Sequence, residues 1–250
     1  MKVALCIIAT GKYKRFLCEL LATAERYFCA GHEVQLFVFT DADPILILPP
    51  SSFRLHPFPA PHEPWPGPTL HRYRTMLQAA DDLLACDYVY YIDVDSRFVR
   101  PVGEEIFGGA PGAPGRGLTA TIHFGYTNRP RGEWTYEHRP FSRACVWPGE
   151  GKRYYCGGFQ GGRAANYVEA MRIMNAAIAD DEGHGITAVW HDESHWNRYL
   201  IDHKPEVELS HDYMCPPQWR PQTQRIVIVG KNNAEIRADR PEETPSHAVV

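Results

Sequence analysis

Tyr88-Val89-Tyr90-Tyr91-Ile92-Asp93-Val94-Asp95 is an aromatic, β-branched run that ends abruptly in two carboxylates. Such a run reads as a buried strand. The two-residue period puts Asp93 and Asp95 on one side if the chain stays extended. Two like charges at the end of an apolar strand are costly unless a cation sits between them. A hard divalent ion, with a diphosphate supplying further oxygens, is one solution; a solvated turn with both carboxylates free is the other.

On the N-terminal side, residues 3–9 read as a buried strand. Residues 14–29 place Phe16, Leu17, Leu20, Leu21, Ala24 and Phe28 at helical spacing, with Gly31 as a stop. Val34 to Phe39 is a second strand, closed by Thr40-Asp41. Strand–helix–strand over this length predicts an α/β fold with a parallel, nucleotide-binding type of sheet. Residues 44–68 are proline-rich and read as a connecting loop. A helical pattern from Thr69 to Leu84 then leads into the strand at 88.

On the C-terminal side, five glycines between 108 and 117 predict a surface loop, and 121–162 is rich in aromatics and glycine. Residues 164–179 and Ser194 to Leu200 read as helices, and Ile226 to Val229 as a late strand before a polar tail. With no internal repeat or low-complexity linker, one domain over 1–250 is expected.

The chain has 250 residues, of which 44% are hydrophobic and 22% charged, ordinary values for a globular protein. A net charge of −4 offers no field for nucleic acid or an anionic membrane. Seven cysteines, without a C-x-x-C pair, fit a reduced cytoplasm. The apolar run at the N-terminus is too short for a signal segment or membrane span.

Three further constellations carry chemistry. Trp190-His191-Asp192-Glu193-Ser194-His195 offers a catalytic carboxylate at a helix start, or mere capping by Asp192 or Ser194; the His191/His195 spacing lacks a third zinc ligand. Tyr154-Tyr155-Cys156-Gly157-Gly158-Phe159-Gln160-Gly161-Gly162 offers backbone that a ligand can approach, or a tight core turn. Lys231 and Arg237 are surface charges unless a diphosphate lies nearby.

Taken together, these segments resemble glycosyltransferase family 6, the blood-group A/B transferase and α-1,3-galactosyltransferase family with its bacterial relatives. The similarity rests on Gly11-Lys12-Tyr13, Gly31-His32-Glu33-Val34, Val38-Phe39-Thr40-Asp41 and Asp93-Val94-Asp95. It continues through Trp134-Thr135-Tyr136-Glu137 with Arg139-Pro140, then Tyr154 to Phe159. The longest match runs from Gly185-Ile186 to His195 and on to Asn197, Tyr199-Leu200 and His203-Lys204-Pro205.

The resemblance implies a GT-A fold with a mixed central sheet, a nucleotide-binding part about 1–100, an acceptor part about 118–220, and a tail at 230–250 that orders on donor binding. It implies retaining transfer of GalNAc or Gal from UDP-GalNAc or UDP-Gal to O3 of a galactose-containing oligosaccharide acceptor. Matching positions assign Asp93 and Asp95 to Mn²⁺ (or Mg²⁺), and Ile8, Ala9, Tyr13, Val94 and Arg72 to the donor. Lys231 and Arg237 fall to the diphosphate, and Cys156, Gly157, Gly158 and Asp192 to the donor sugar. His123, Thr135, Trp190 and Glu193 fall to the acceptor, with Glu193 as catalytic carboxylate.

Gly158 inclines the expectation towards UDP-GalNAc, although Cys156 matches neither blood-group residue. Both aspartates stand where many bacterial relatives carry asparagines, which implies metal dependence. Cys215-Pro216-Pro217 stands where the family has an acceptor-site carboxylate. The implied protein is a soluble bacterial or phage-type enzyme. A UDP-sugar hydrolase and a non-catalytic sugar-binding module on the same fold are the competing readings.

Overall fold

The computed structural model describes residues 1–44, 51–109, 117–219 and 221–237. Strand β1 (Lys2–Ala9) is followed by a 3-10 turn (Gly11–Phe16) and helix α1 (Leu17–Tyr27), then β2 (Glu33–Thr40), which pairs parallel to β1. Every residue of β1 from Val3 to Ala9 is buried because both faces of the strand are covered. Val3, Leu5, Ile7 and Ala9 pack with Leu17, Leu20, Leu21 and Ala24 of α1. Ala4, Cys6 and Ile8 face the opposite core, with Tyr73, Met76 and Tyr167.

The proline-rich segment is not wholly a loop. Arg54–Pro59 forms β3, parallel to β2 at the sheet edge. Pro57 and Pro59 are tolerated there because an edge strand does not need every N–H for a neighbour. The helical run after it is broken into α2 (Gly67–Leu70), α3 (Arg72–Met76), a 3-10 turn (Leu77–Ala79) and α4 (Ala80–Leu84). The breaks fall at His71 (φ −97°, ψ 17°) and Ala79 (φ −104°, ψ 18°).

Tyr88–Ile92 is β4, fully buried and parallel to β1. The strand stops before the carboxylates. Asp93 to Asp95 form a turn into β5 (Ser96–Phe98), which leaves the main sheet to pair with β9 (Ile226–Ile228). The two aspartates therefore do not share one face of an extended strand. Beyond them come β6 (Leu118–Ile122), β7 (Tyr155–Arg163), α5 (Ala164–Gly183), α6 (His191–Asp202), β8 (Val207–Leu209) and α7 (Asn233–Arg237). The sheet has seven strands in the order β3-β2-β1-β4-β7-β6-β8, with β7 antiparallel to both neighbours. No helix among the described residues is long and apolar enough to cross a membrane.

The Gly-Gly segment is thus a central strand, not a turn. A Cβ on Gly161 would clash with the Val89 carbonyl of β4, and one on Gly162 with the Gly117 carbonyl beside β6. Gly162 also sits at φ +145°, where an L side chain is strained. Gly162→Ala is expected to cost at least about 2 kcal/mol in urea unfolding. Gly183→Ala, at a position with open space, should stay within about 0.5 kcal/mol of wild type.

Candidate active site

The chain runs outward from β1 to β2 and β3, then crosses back to place β4 on the other side of β1. Ligand crevices of open α/β sheets form at such a switch, outside the carboxyl ends of the strands. A cavity of about 200 Å³ lies there, walled by Ile8 near the end of β1, Thr10 just after it, Tyr13, Asp93, Val94 and Asp95 after β4, and Lys231. The Lys231 ammonium pairs with Asp95 and lies 5.1 Å from the Tyr13 ring centre. The start of α7 is tied to the same corner, Lys12 Nζ donating to the Glu235 carbonyl at 3.1 Å and Arg15 pairing with Glu235 at 2.8 Å.

Next to it opens a cavity of about 440 Å³, with Trp65, Thr69 and Asp93 common to both walls. Arg72, buried on α3, is its anchor. One guanidinium nitrogen, Nη2, donates to Asp93 Oδ1 at 3.1 Å. The other, Nη1, lies 2.8 Å from Asp192 Oδ2 and donates to the Gly157 carbonyl. The guanidinium also stacks 4.0 Å above the Tyr91 ring centre, whose hydroxyl donates to Asp93 Oδ1 at 2.8 Å. Burial and its proximity to Asp93 push the Asp95 carboxyl up, with Lys231 opposing.

Helix α6 delivers the other carboxylates. Trp190 precedes it without a side-chain cap bond, so neither Asp192 nor Ser194 is the capping residue; Ser194 Oγ instead accepts from the Trp190 N–H at 3.0 Å. His191 opens the helix at φ +52°, an uncommon conformation for a residue with a side chain. Asp192 and Glu193 consequently face the cavity from the first helical turn. Glu193 is held at both oxygens: Tyr154 Oη donates to Oε1 at 3.0 Å and the Gly157 N–H to Oε2 at 2.8 Å. Burial pushes Asp192 up to about 7 despite Arg72, and Glu193 up to about 7 despite its two donors.

The far wall is aromatic. His123 and Trp190 line it, with Trp190 46% exposed. Thr135 stands behind, its hydroxyl accepting from the Trp190 indole N–H at 2.6 Å and meeting the Tyr126 hydroxyl at 2.6 Å. Burial holds the His123 imidazole down to about 4, so it is neutral at pH 7.

The structure thus gathers Ile8, Tyr13, Val94, Asp93, Asp95 and Lys231 at one cavity, and Arg72, Gly157, Gly158, Asp192, Glu193, His123 and Trp190 at the other. Ala9 and Cys156 are not on either wall; both side chains point into the core shared with α1. Gly158 is closely hemmed, since a Cβ there would lie 2.8 Å from Asp93 Oδ2 and 2.9 Å from Met214 Cε. The Arg237 side chain and residues 238–250 lie outside the described residues. His191 and His195 point apart, His191 to Trp65 and Thr69, His195 to a buried site 3.6 Å from Asp181. The wall residues Trp65 and Thr69 carry no separate sequence signal, and Tyr154 behind Glu193 stands in the glycine-rich segment with no role singled out for it.

Among the described residues no three His, Cys, Asp or Glu groups cluster as metal ligands. Asp93 and Asp95 still present hard oxygens: Arg72 and Tyr91 both engage Asp93 Oδ1, while Oδ2 receives no donor among the described residues. That donor set fits a divalent ion whose remaining ligands come from a diphosphate and water.

A seven-stranded mixed sheet, a crevice at its switch point and an acidic cleft beside it define an α/β glycosyltransferase of GT-A-like architecture. The chain belongs to glycosyltransferase family 6, whose family model it matches over residues 1–238. It is 35% identical over 245 residues to "Histo-blood group ABO system transferase 2" of Rattus norvegicus, covering 94% of this chain and 71% of that protein. It is 34% identical to human "Globoside alpha-1,3-N-acetylgalactosaminyltransferase 1", over 92% of this chain and 65% of that protein. It is 28% identical to "O-antigen biosynthesis glycosyltransferase WbnI" of Escherichia coli, over 88% and 90%.

Asp192 and Glu193 give the cleft a measurable pH signature. Their folded-state values of about 7 stand above the ordinary 3.8 and 4.5, so the folded protein keeps protons that the unfolded chain has lost. These two groups therefore remove stability as pH rises from about 4 through about 7. In urea unfolding, Glu193→Gln should lose less stability than wild type between pH 5 and pH 8.

Proposed function

We propose that the chain is a retaining α-1,3-glycosyltransferase that moves GalNAc or Gal from a UDP-sugar to O3 of a galactose-containing acceptor such as a fucosylated galactoside. The observation that carries this reading is Glu193, a carboxylate fixed at both oxygens on the wall of a cleft that adjoins the Asp93/Asp95 crevice. The names of the relatives, which include an α-1,3-N-acetylgalactosaminyltransferase, support the reaction class. Gly158 stands at a position where the family distinguishes its donors and inclines the reading towards GalNAc, while its close packing against Asp93 and Met214 gives the glycine a reason of its own.

Uridine would lie against Ile8 and Tyr13, with the diphosphate towards Asp93, Asp95 and Lys231. A Mn²⁺ ion held by Asp93 and Asp95 would neutralise charge growing on the departing UDP. Lys231, paired with Asp95 on the wall of the same cavity, would add positive charge there. Arg72 and Asp192 would hold the donor sugar by its hydroxyls, Arg72 keeping Asp192 and Asp93 in fixed relation. His123, Thr135 and Trp190 would seat the acceptor galactose, the indole giving its apolar face a platform.

Glu193 would face the anomeric carbon on the side opposite UDP. From there it either attacks, forming a glycosyl ester as UDP leaves that the acceptor O3 then displaces from the departing face, or stabilises an oxocarbenium ion while O3 enters on that face. In both routes the O3 proton would pass to the departing UDP phosphate. Both routes retain configuration, and both need the anionic form. Transfer should therefore fall as pH drops below about 7.

The deciding assay incubates the protein with UDP-GalNAc or UDP-Gal, Mn²⁺ and 2′-fucosyllactose. UDP release that acceptor does not stimulate would instead indicate a hydrolase. Glu193→Ala should bind UDP as wild type does yet lose at least about 10³-fold in transfer; near-normal turnover would sink the assignment. EDTA should abolish transfer and Mn²⁺ restore it, and activity that survives EDTA would remove the metal from the mechanism.

A further inference from the structure

Tyr154 opens the glycine-rich segment without a role of its own there, yet it contacts the carboxylate on which the reaction depends. Its ring is 2% exposed and wedged among aromatic neighbours, with centroids 4.5 Å from Tyr126, 5.2 Å from Tyr136 and 5.8 Å from His123. A ring packed on so many sides has little freedom to swing, so its hydroxyl points one way. That way is Glu193 Oε1, at 3.0 Å. On its other side the hydroxyl lies 3.5 Å from Thr135 Oγ1. Thr135 in turn accepts from the indole N–H of Trp190 and meets the Tyr126 hydroxyl, both at 2.6 Å. A single hydrogen-bond chain therefore runs from the exposed Trp190 through Thr135 and Tyr154 to Glu193.

We propose that Tyr154 is a positioning residue for Glu193, holding its carboxylate in one orientation and tying that orientation to the seating of the acceptor on Trp190. This rests on the reading of Glu193 given above. With the Gly157 N–H on Oε2 and Tyr154 on Oε1, the carboxylate plane is set from two directions. Removing one donor frees rotation about the last side-chain bond. Burial pushes the Tyr154 phenol up, so the hydroxyl keeps its proton and stays a donor at every working pH.

Tyr154→Phe tests this while keeping the packed ring. kcat should fall about 10- to 100-fold, the scale of a lost hydrogen bond to a charged group. UDP affinity, measured by calorimetry, should not change. Thr135→Val should raise the KM for the acceptor more than it lowers UDP release in the absence of acceptor.

A readout independent of turnover is the titration of the Glu193 carboxyl, followed by ¹³C NMR on glutamate-labelled protein. The other groups that act on Glu193, namely Arg72, Asp93, Asp192, Tyr73 and Cys156, are unaltered by the substitution. Loss of a donor to the anion should move the Glu193 midpoint upwards. If Tyr154→Phe leaves both kcat and that midpoint within twofold and 0.2 pH units of wild type (about the precision of either measurement), the proposal is overturned. A fall in kcat with an unmoved midpoint overturns it equally, because general loosening of the fold would then be the cause. If wild type itself transfers no sugar, the reading of the reaction fails, while a shifted midpoint would still establish the Tyr154–Glu193 bond.

Discussion

A single buried guanidinium underlies the cleft. Arg72 is 3% exposed, and a charge so placed would cost several kcal/mol if unpaired. Asp93, Asp192 and the Gly157 carbonyl pair its two terminal nitrogens and the Tyr91 ring covers one face, leaving the buried Nε without a hydrogen-bond partner among the described residues. These partners come from the turn after β4, the first turn of α6 and strand β7. One side chain thereby fixes three parts of the fold against each other. The arrangement is lopsided in charge, because Asp93, Asp192 and Glu193 outnumber the one cation among them. Burial makes Asp192 and Glu193 keep protons that carboxylates ordinarily release, and the excess of carboxylates favours whatever brings positive charge, whether a metal ion or a sugar carbon turning cationic.

The backbone serves the same end. Ending β4 at Ile92 lets the chain turn at Val94 and Asp95, so the aspartates project into the crevice and not along a sheet face. The left-handed conformation of His191 begins α6 with its acidic first turn towards the cleft. Strand β7 is glycine-rich because it lies between β4 and β6 with no room for side chains at Gly161 and Gly162. Four residues before that tight stretch, the same strand lends a carbonyl to Arg72 and an N–H to Glu193, both from Gly157.

Much of this was legible in the residues alone. The β1–α1–β2 unit announces itself because its apolar residues repeat with the periods of a strand and a helix, and both faces of β1 are covered. The acidic strand end and the Trp190–His195 run also stand out, since carboxylates beside apolar runs need a reason. Strand β3 did not, because Pro57 and Pro59 look like loop residues and only the edge position excuses them. Cys156 and Ala9 stand on positions that the family resemblance assigns to the donor, yet strand alternation turns both side chains into the core. Trp65 and Tyr154 matter through contacts with residues far away in the chain, and no local pattern encodes such contacts.

Trp65, Thr69 and Asp93 form a partition common to both cavities. A partition cannot be displaced into one chamber without enlarging the other. Groups seated in the crevice at the sheet switch and in the acidic cleft would therefore press on the same three side chains from opposite sides.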